Sequence, residues 1–331
     1  MASSSVTAII VGWQARAHLP RCLASLERQR RPAEETIYVD NASADGSVEY
    51  VREHHPDVEV LALDSNRGFG AGNNEAIRRA ETDLVALLNP DAEADPGWLE
   101  ALVTAAESSA ERVAGFASRV HRAHDPTLLE STGDTYSVVG TSLPRGFGED
   151  PAAHLERCPV FGPAGSAALF RRRPLLDIGL FDEAFLAYYD DADLALRLNL
   201  AGYSCEYVPR ATVRHWGQSS LGAESETLLY LAQRNLEWTY LKGMPLPLML
   251  ARLPERALFE ALGAIQFAAR GRLGLFLRAK AEALAGLPRV LRERRRVQAT
   301  RRIGLGALQR RMERSWLLGR LGHEGVRRRI R

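Results

Sequence analysis

The run Leu84-Val85-Ala86-Leu87-Leu88 constrains this chain more than any other stretch, because five aliphatic residues stop abruptly at Asn89-Pro90-Asp91. It is too short for a helix and too uniformly apolar for a half-exposed strand, so it predicts a central strand covered on both faces. Pro90 lacks a backbone N–H and biases Asn89 towards extended backbone, which presents Asp91 at the strand's carboxyl end. In open α/β sheets that edge is where ligands bind. A carboxylate there, with a polar side chain two residues earlier, suits a divalent metal carrying phosphates. A plain strand followed by an Asp-Pro turn accounts for the same residues, so the rest of the chain must decide.

Upstream, Val6 to Val11 reads as a first strand and His18 to Arg30 as an amphipathic helix with Leu19, Cys22, Leu23 and Leu26 on one face. Thr36 to Val39 is a second strand, ending in Asp40-Asn41-Ala42-Ser43-Ala44-Asp45-Gly46-Ser47, which supplies a turn and an N-cap for the helix through Tyr50. Val58 to Leu63 is a third strand, followed by a glycine-rich loop, Asn66-Arg67-Gly68-Phe69-Gly70-Ala71-Gly72-Asn73-Asn74, leading into a helix over Glu75 to Ala80. Strands alternating with helices predict an α/β, doubly wound, mostly parallel sheet. Three successive strand ends then carry polar, glycine-rich or acidic loops on one edge, where backbone can approach a ligand and helix-start amides favour phosphate.

Beyond Pro96 the pattern is less regular. Val113 to Val120 reads as a strand, Thr132 to Pro151 as a long loop, and Phe161 to Phe170 as a return to the core with small residues, Gly165 among them. Asp190, Asp191 and Asp193 crowd a helix N-terminus, where the helix dipole favours negative charge. With Asp182 and Glu183 upstream the cluster exceeds what capping needs and could include a general base. Gly202 ends that helix, and two short strands, Glu206 to Val208 and Ala211 to Val213, flank Pro209 before His215-Trp216. A lone histidine reads as structural until an acidic site is shown beside it.

Taken in order, these pieces resemble the family 2 glycosyltransferases of the GT-A fold, particularly a bacterial rhamnosyltransferase-like branch. The resemblance rests on Val39 to Ser47, Asn66 to Asn74, Leu88 to Ala92, Pro96-Gly97-Trp98-Leu99, Phe181-Asp182-Glu183, Tyr189 to Leu194 and Val208 to Ala211 followed by His215. It spans roughly residues 6–216 and implies a Rossmann-like sheet. It implies that the donor nucleotide is held by Trp13, Asp40, Asn41, Ser43, Asp45, Asn66, Gly68, Phe69, Gly70, Asn73 and Asn89. Asp91 and His215 become the ligands of Mg²⁺ or Mn²⁺, Asp191 the base, and Gly165, Asp190, Asp193 and Trp216 the neighbours of the acceptor or donor sugar. Asn89 departs from the simplest Asp-X-Asp form, and Gly12-Trp13-Gln14 stands where a Tyr-Asn pair is usual. The implied reaction is a single inverting displacement, with L-rhamnose from dTDP-L-rhamnose as first choice and a UDP- or GDP-sugar as the alternative. The acceptor implied is a glycan or polyprenyl-linked hydroxyl in bacterial cell-surface polysaccharide synthesis. A nucleotidyltransferase would carry an early Gly-rich, Lys/Arg-bearing signature that Ile10-Val11-Gly12-Trp13-Gln14 lacks. A non-catalytic nucleotide-sugar binding protein would not need Asp191.

Charge divides the chain: residues 251–331 carry 21 Lys/Arg against 6 Asp/Glu, a net of +15, while residues 1–250 carry 22 against 35, a net of −13. The expected division is a catalytic domain over residues 1–243 and a basic amphipathic helical appendage over residues 244–331. Apolar residues from Leu258 to Leu291 recur at helical intervals among arginines, which suits an interfacial helix seated on an anionic membrane. Packing on the catalytic domain or a homodimer would use the same apolar face, and no motif for nucleic acid accompanies the charge. No secretory signal and no stretch of about 18 uninterrupted apolar residues is present, so the expected location is cytoplasmic, peripheral on the inner face of the cell membrane. Cys22, Cys158 and Cys205 have neither metal nor disulfide spacing.

Overall fold

The computed structural model describes residues 4–217 and 225–317. Strands β1 (Val6–Gly12), β2 (Glu35–Asp40), β3 (Glu59–Ala62) and β4 (Leu84–Leu88) run parallel in the order β3-β2-β1-β4. Helices α1 (Leu19–Glu27), α2 (Ser47–His54) and α3 (Gly68–Arg79) cross between them. After Pro90 come β5 (Ala92–Ala94) and α4 (Trp98–Ser108). Every residue of β4 is buried: Leu84, Ala86 and Leu88 face a core shared with α1 and α4, while Val85 and Leu87 face one shared with α3. The expected central strand is therefore covered on both sides, as the period of two requires.

The sheet continues with β6 (Val113–Arg122) and β7 (Asp125–Ser131), then the small hairpin β8 (Asp134–Tyr136) and β9 (Ser142–Pro144). β10 (Cys158–Val160), β11 (Ala167–Arg171), α5 (Arg172–Asp177), α6 (Asp190–Leu200) and β12 (Ser204–His215) follow. β11 lies antiparallel between β4 and β6, and β12 runs parallel to β6. The far end of β12 pairs with β5 and sets His215 opposite Ala92, next to Asp91.

Three expectations change. The loop expected over Thr132 to Pro151 contains the β8–β9 hairpin. The two strands expected around Pro209 are one strand, with a register shift between Tyr207 and Thr212 that absorbs the missing proline N–H. The glycine-rich stretch is not a loop before a helix at Glu75: α3 begins at Gly68. Its glycines serve close approach, since a Cβ on Gly72 would lie 2.5 Å from Val11 and one on Gly68 2.2 Å from the Leu186 carbonyl oxygen.

The C-terminal region is helical: α7 (Glu226–Gly243), α8 (Leu246–Ala251), α9 (Leu253–Ala269), α10 (Leu273–Ala285), α11 (Leu287–Ala299) and α12 (Leu305–Arg311). Residues 318–331 of the basic stretch lie outside the described residues. The expected boundary at 243/244 is no break in packing, because Phe259, Val297, Leu308 and Trp316 share one core with Tyr136, Phe161, Ala192 and Leu196. A buried ion-pair network reinforces the join. Lys242, 2% exposed, meets Asp182 at 2.5 Å and Asp193 at 2.8 Å; Arg289 meets Asp182 at 3.0 Å and Arg197 meets Asp193 at 2.8 Å. Burial alone would raise the Asp182 pKa, but the Lys242 and Arg289 charges hold it well below the usual carboxylate range.

Breaking a buried pair leaves an uncompensated charge. Lys242→Met should therefore lower the urea-unfolding free energy by about 3 kcal/mol, the low end for such losses because Arg289 and Arg197 remain. A carboxyl depressed by folding stabilises above its unfolded pKa and loses that contribution as the pH falls, so wild-type and variant curves should converge below about pH 4.

Candidate functional site

A cavity of about 1210 Å³ opens along the carboxyl ends of β1 and β4 and reaches across to α7 and α9. One end is lined by Trp13, Asn41, Asn66, Gly68 and Phe69. Asn41 ties two strand ends together, its Nδ2 donating to the Gly68 carbonyl at 3.3 Å and its Oδ1 accepting from the Arg67 amide at 3.2 Å. Asp40, Ser43 and Asp45 were expected at the nucleotide but do not line this cavity. Asp40 accepts from the Tyr38 hydroxyl (2.9 Å) and the Ser43 amide (2.7 Å), Ser43 Oγ from the Gln14 amide (2.8 Å), and Asp45 from the Arg16 amide (2.9 Å). Their polar atoms fix the two loops around Trp13. Gly70 and Asn73 also lie off the cavity, inside α3, where Asn73 Nδ2 donates to the Phe69 carbonyl at 2.9 Å.

At the end of β4, Asp91 Oδ1 lies 3.1 Å from His215 Nε2, and Asn89 Nδ2 lies 3.5 Å from the same nitrogen. His215 Nδ1 is 2.7 Å from Glu130 Oε1 on β7, a carboxylate that no spacing in the sequence connects to the histidine. Trp216 donates its backbone N–H to the Asp91 carbonyl at 3.0 Å, and Arg21 lies over its ring at 5.1 Å. Burial favours neutral imidazole, yet the Glu130 charge and hydrogen bonds to both carboxylates push the His215 pKa up to about 10. Burial would raise the Asp91 pKa, but pairing with His215 holds it below the usual range. The field that retains a proton there is one that attracts a cation. Among the described residues no three His, Cys, Asp or Glu side chains converge as a metal cage. An Asp–His pair with an outer carboxylate fits instead a divalent ion that completes its shell with phosphate and water.

The second acidic centre begins α6. Asp191 Oδ2 accepts from the Gly165 amide at 3.1 Å and Oδ1 from the Ala192 amide at 2.8 Å. A Cβ on Gly165 would sit 3.1 Å from the Phe69 ring and 3.5 Å from Asp191, so the glycine keeps this approach open. Burial raises the Asp191 pKa although these amides oppose it, and burial with the Asp191 charge raises that of Asp190 well above its usual value. Asp193 does not face the cavity; it is buried in the ion pairs with Arg197 and Lys242. Asp134, missed by the sequence reading, lines the cavity and is held well above the usual range by burial and by the Asp191 and Glu130 charges.

The backbone leading into Asp190 is strained. Leu186, Tyr188 and Tyr189 have φ of 68°, 66° and 68°, a left-handed region costly for side-chain-bearing residues. Asn235 of α7 holds that run: its Nδ2 donates to the carbonyls of Phe185 (3.1 Å), Ala187 (2.8 Å) and Tyr188 (2.8 Å).

Residues 7–179, over half of the chain, match the family model described as Glycosyl transferase family 2. An N-acetylglucosaminyl-diphospho-decaprenol L-rhamnosyltransferase of Mycobacterium tuberculosis is 30% identical over 254 residues, covering 67% of this chain and 82% of the relative. A pre-mycofactocin glycosyltransferase of the same species is 32% identical over 163 residues, covering 49% of this chain and 33% of the relative. In structure, the mannosyltransferase PcManGT of Pyrobaculum calidifontis in complex with GDP-Man and Mn²⁺ aligns with a TM-score of 0.53 at 20% identity, covering 93% of this chain and 86% of that one. The fold described above is thus the GT-A fold, and the chain belongs to glycosyl transferase family 2.

Proposed function

We propose that this protein moves a sugar, L-rhamnose from dTDP-L-rhamnose as first choice, with inversion onto a hydroxyl of a polyprenyl-linked acceptor in cell-surface polysaccharide synthesis. The observation that carries this reading is that one cavity is lined by Trp13, Asn41 and Asn66, by the Asp91–His215 pair and by Asp191. The acceptor class is supported by the mycobacterial relative, whose name specifies a diphospho-decaprenol sugar. Mg²⁺ or Mn²⁺ held by Asp91 and His215 would supply Lewis acidity towards the leaving diphosphate. Glu130 orients His215 so that Nε2 faces Asp91. Asp191 takes the proton from the acceptor hydroxyl, and that oxygen forms the new bond to the anomeric carbon as the bond to the diphosphate breaks. Burial raises the Asp191 pKa, which strengthens its carboxylate as a base.

The outer faces of the C-terminal helices support peripheral seating on the inner membrane face. Leu250, Leu253, Leu258, Ile265, Leu277 and Leu284 are each at least half exposed, with Arg270, Arg278 and Arg292 exposed among them. No helix among the described residues is long and apolar enough to cross a membrane. Each basic residue near an anionic leaflet contributes about 1 kcal/mol, enough in number for reversible binding.

Incubation with dTDP-, UDP- and GDP-sugars, Mg²⁺ or Mn²⁺ and a polyprenyl-diphosphate sugar should release nucleoside diphosphate, fastest from dTDP-L-rhamnose. Asp191→Asn should slow release by about 10²–10⁴-fold, and the wild-type rate should fall in acid through a pKa above the usual carboxylate value of about 3.9. Equal rates for Asp191→Asn and wild type would remove the base assignment, and a preference for a UDP- or GDP-sugar would replace the donor. In sedimentation with anionic vesicles at low salt, the full chain should pellet and Leu258→Glu/Ile265→Glu/Leu277→Glu should stay in solution. If both stay in solution, the exposed face belongs to a dimer contact instead.

A further inference from the structure

The cavity does not stop at the reacting centre. It continues between α7 and α9, where Leu228, Ala232 and Leu236 of one helix and Phe259, Gly263 and Phe267 of the other line it. Both sets are spaced by four residues, so each forms one stripe along its helix. The Arg256–Glu237 ion pair ties the two helices together beside Phe259 and Leu236, and both stripes line the same cavity. Phe276 of α10 packs on Phe267 at 5.3 Å between ring centres and closes the passage from the third side. Glu260, which also lines it, is compensated by Lys280 at 2.7 Å and by Arg256, while Gln233 and Gln266 border it.

We propose that this passage is the seat of the acceptor's lipid tail, a deepening that rests on the lipid-linked reading above. The occupant has to present a hydroxyl at Asp191 and lie along two stripes of leucine, alanine, glycine and phenylalanine, with polar groups only at the border, where Glu260 is already engaged by Lys280 and Arg256. A sugar diphosphate carrying an isoprenoid chain meets both demands. The small residues Ala232 and Gly263 stand at the middle of the two stripes, and Gly263 lies beside the Phe276 ring, where an added Cβ would come to 3.4 Å and a larger side chain would crowd the passage. The far end is marked by Arg270 and Arg272, which line the same cavity, next to exposed Leu273 and Leu277. A chain leaving there enters the surface on which leucine and arginine alternate, so the passage leads from the reacting centre to that surface.

The test uses the full chain in solution, with inorganic diphosphate, farnesyl diphosphate and geranylgeranyl diphosphate titrated calorimetrically below their micelle-forming concentrations. Wild-type affinity should rise by roughly a hundredfold from inorganic diphosphate to geranylgeranyl diphosphate, the gain from about three or four buried methylene groups. Gly263→Leu and Ala232→Leu, each checked for folding by its thermal midpoint, should lose most of that gain. Equal affinity of wild type for all three ligands would overturn the proposal, as would a full gain in both folded variants. Sugar transfer without chain-length dependence would sink the tail seat and leave the proposed function standing; chain-length-dependent binding without transfer would do the reverse.

Discussion

The geometry of the acidic centre depends on one side chain outside the sheet. Carbonyl groups between Phe185 and Tyr188 are turned by the left-handed backbone towards α7, where Asn235 receives three of them and Arg234 donates to Phe185 and Ala184 as well. Without those donors the Ala187 and Tyr188 carbonyls would lose these bonds, and the Phe185 carbonyl would keep only the Ala187 amide. The clamp sets where α6 starts and hence where Asp190 and Asp191 project. Lys242, two turns along the same helix, fixes the other end through Asp182 and Asp193.

Electrostatically the cavity holds two carboxylate groups of opposite temper. Asp91 is favoured in its charged form by its pairing with His215, whereas Asp191, Asp190 and Asp134 sit where burial favours the neutral form. Pairs of acids whose environments push their pKa values apart divide the work between charge stabilisation and proton transfer.

Much of this was legible in the sequence, for identifiable reasons. Leu84 to Asp91 announces itself because burial on both faces and a proline stop are local properties. Asp190 and Asp191 are legible as a helix start that carries more charge than it needs. Asp193 was misplaced because its i,i+4 partner Arg197 and its distant partner Lys242 are brought together only by packing. Glu130 was invisible for the same reason, 85 positions from His215 on a strand that reads as ordinary. Gly70 and Asn73 were placed in a loop because a glycine-rich stretch looks like one, while here the missing side chains of Gly68, Gly70 and Gly72 let a helix lie against Leu186, Phe181 and Val11.

The shared packing of α7 to α12 with the catalytic helix bears on how the protein is made. A nascent chain that has emerged only as far as β12 can pair its sheet, but the carboxylates of Asp182 and Asp193 and the carbonyls of the left-handed segment still await Lys242, Arg289 and Asn235. Domains generally fold as units during synthesis, N-terminal portions first, and here the acidic segment before α6 lacks its charged partners until translation has passed Arg289. The same late segment carries the apolar surface. The exposed leucines and the partners of the acidic segment therefore leave the ribosome together, so the sheet that is made first is completed and its apolar helices are exposed within the same late stretch of synthesis.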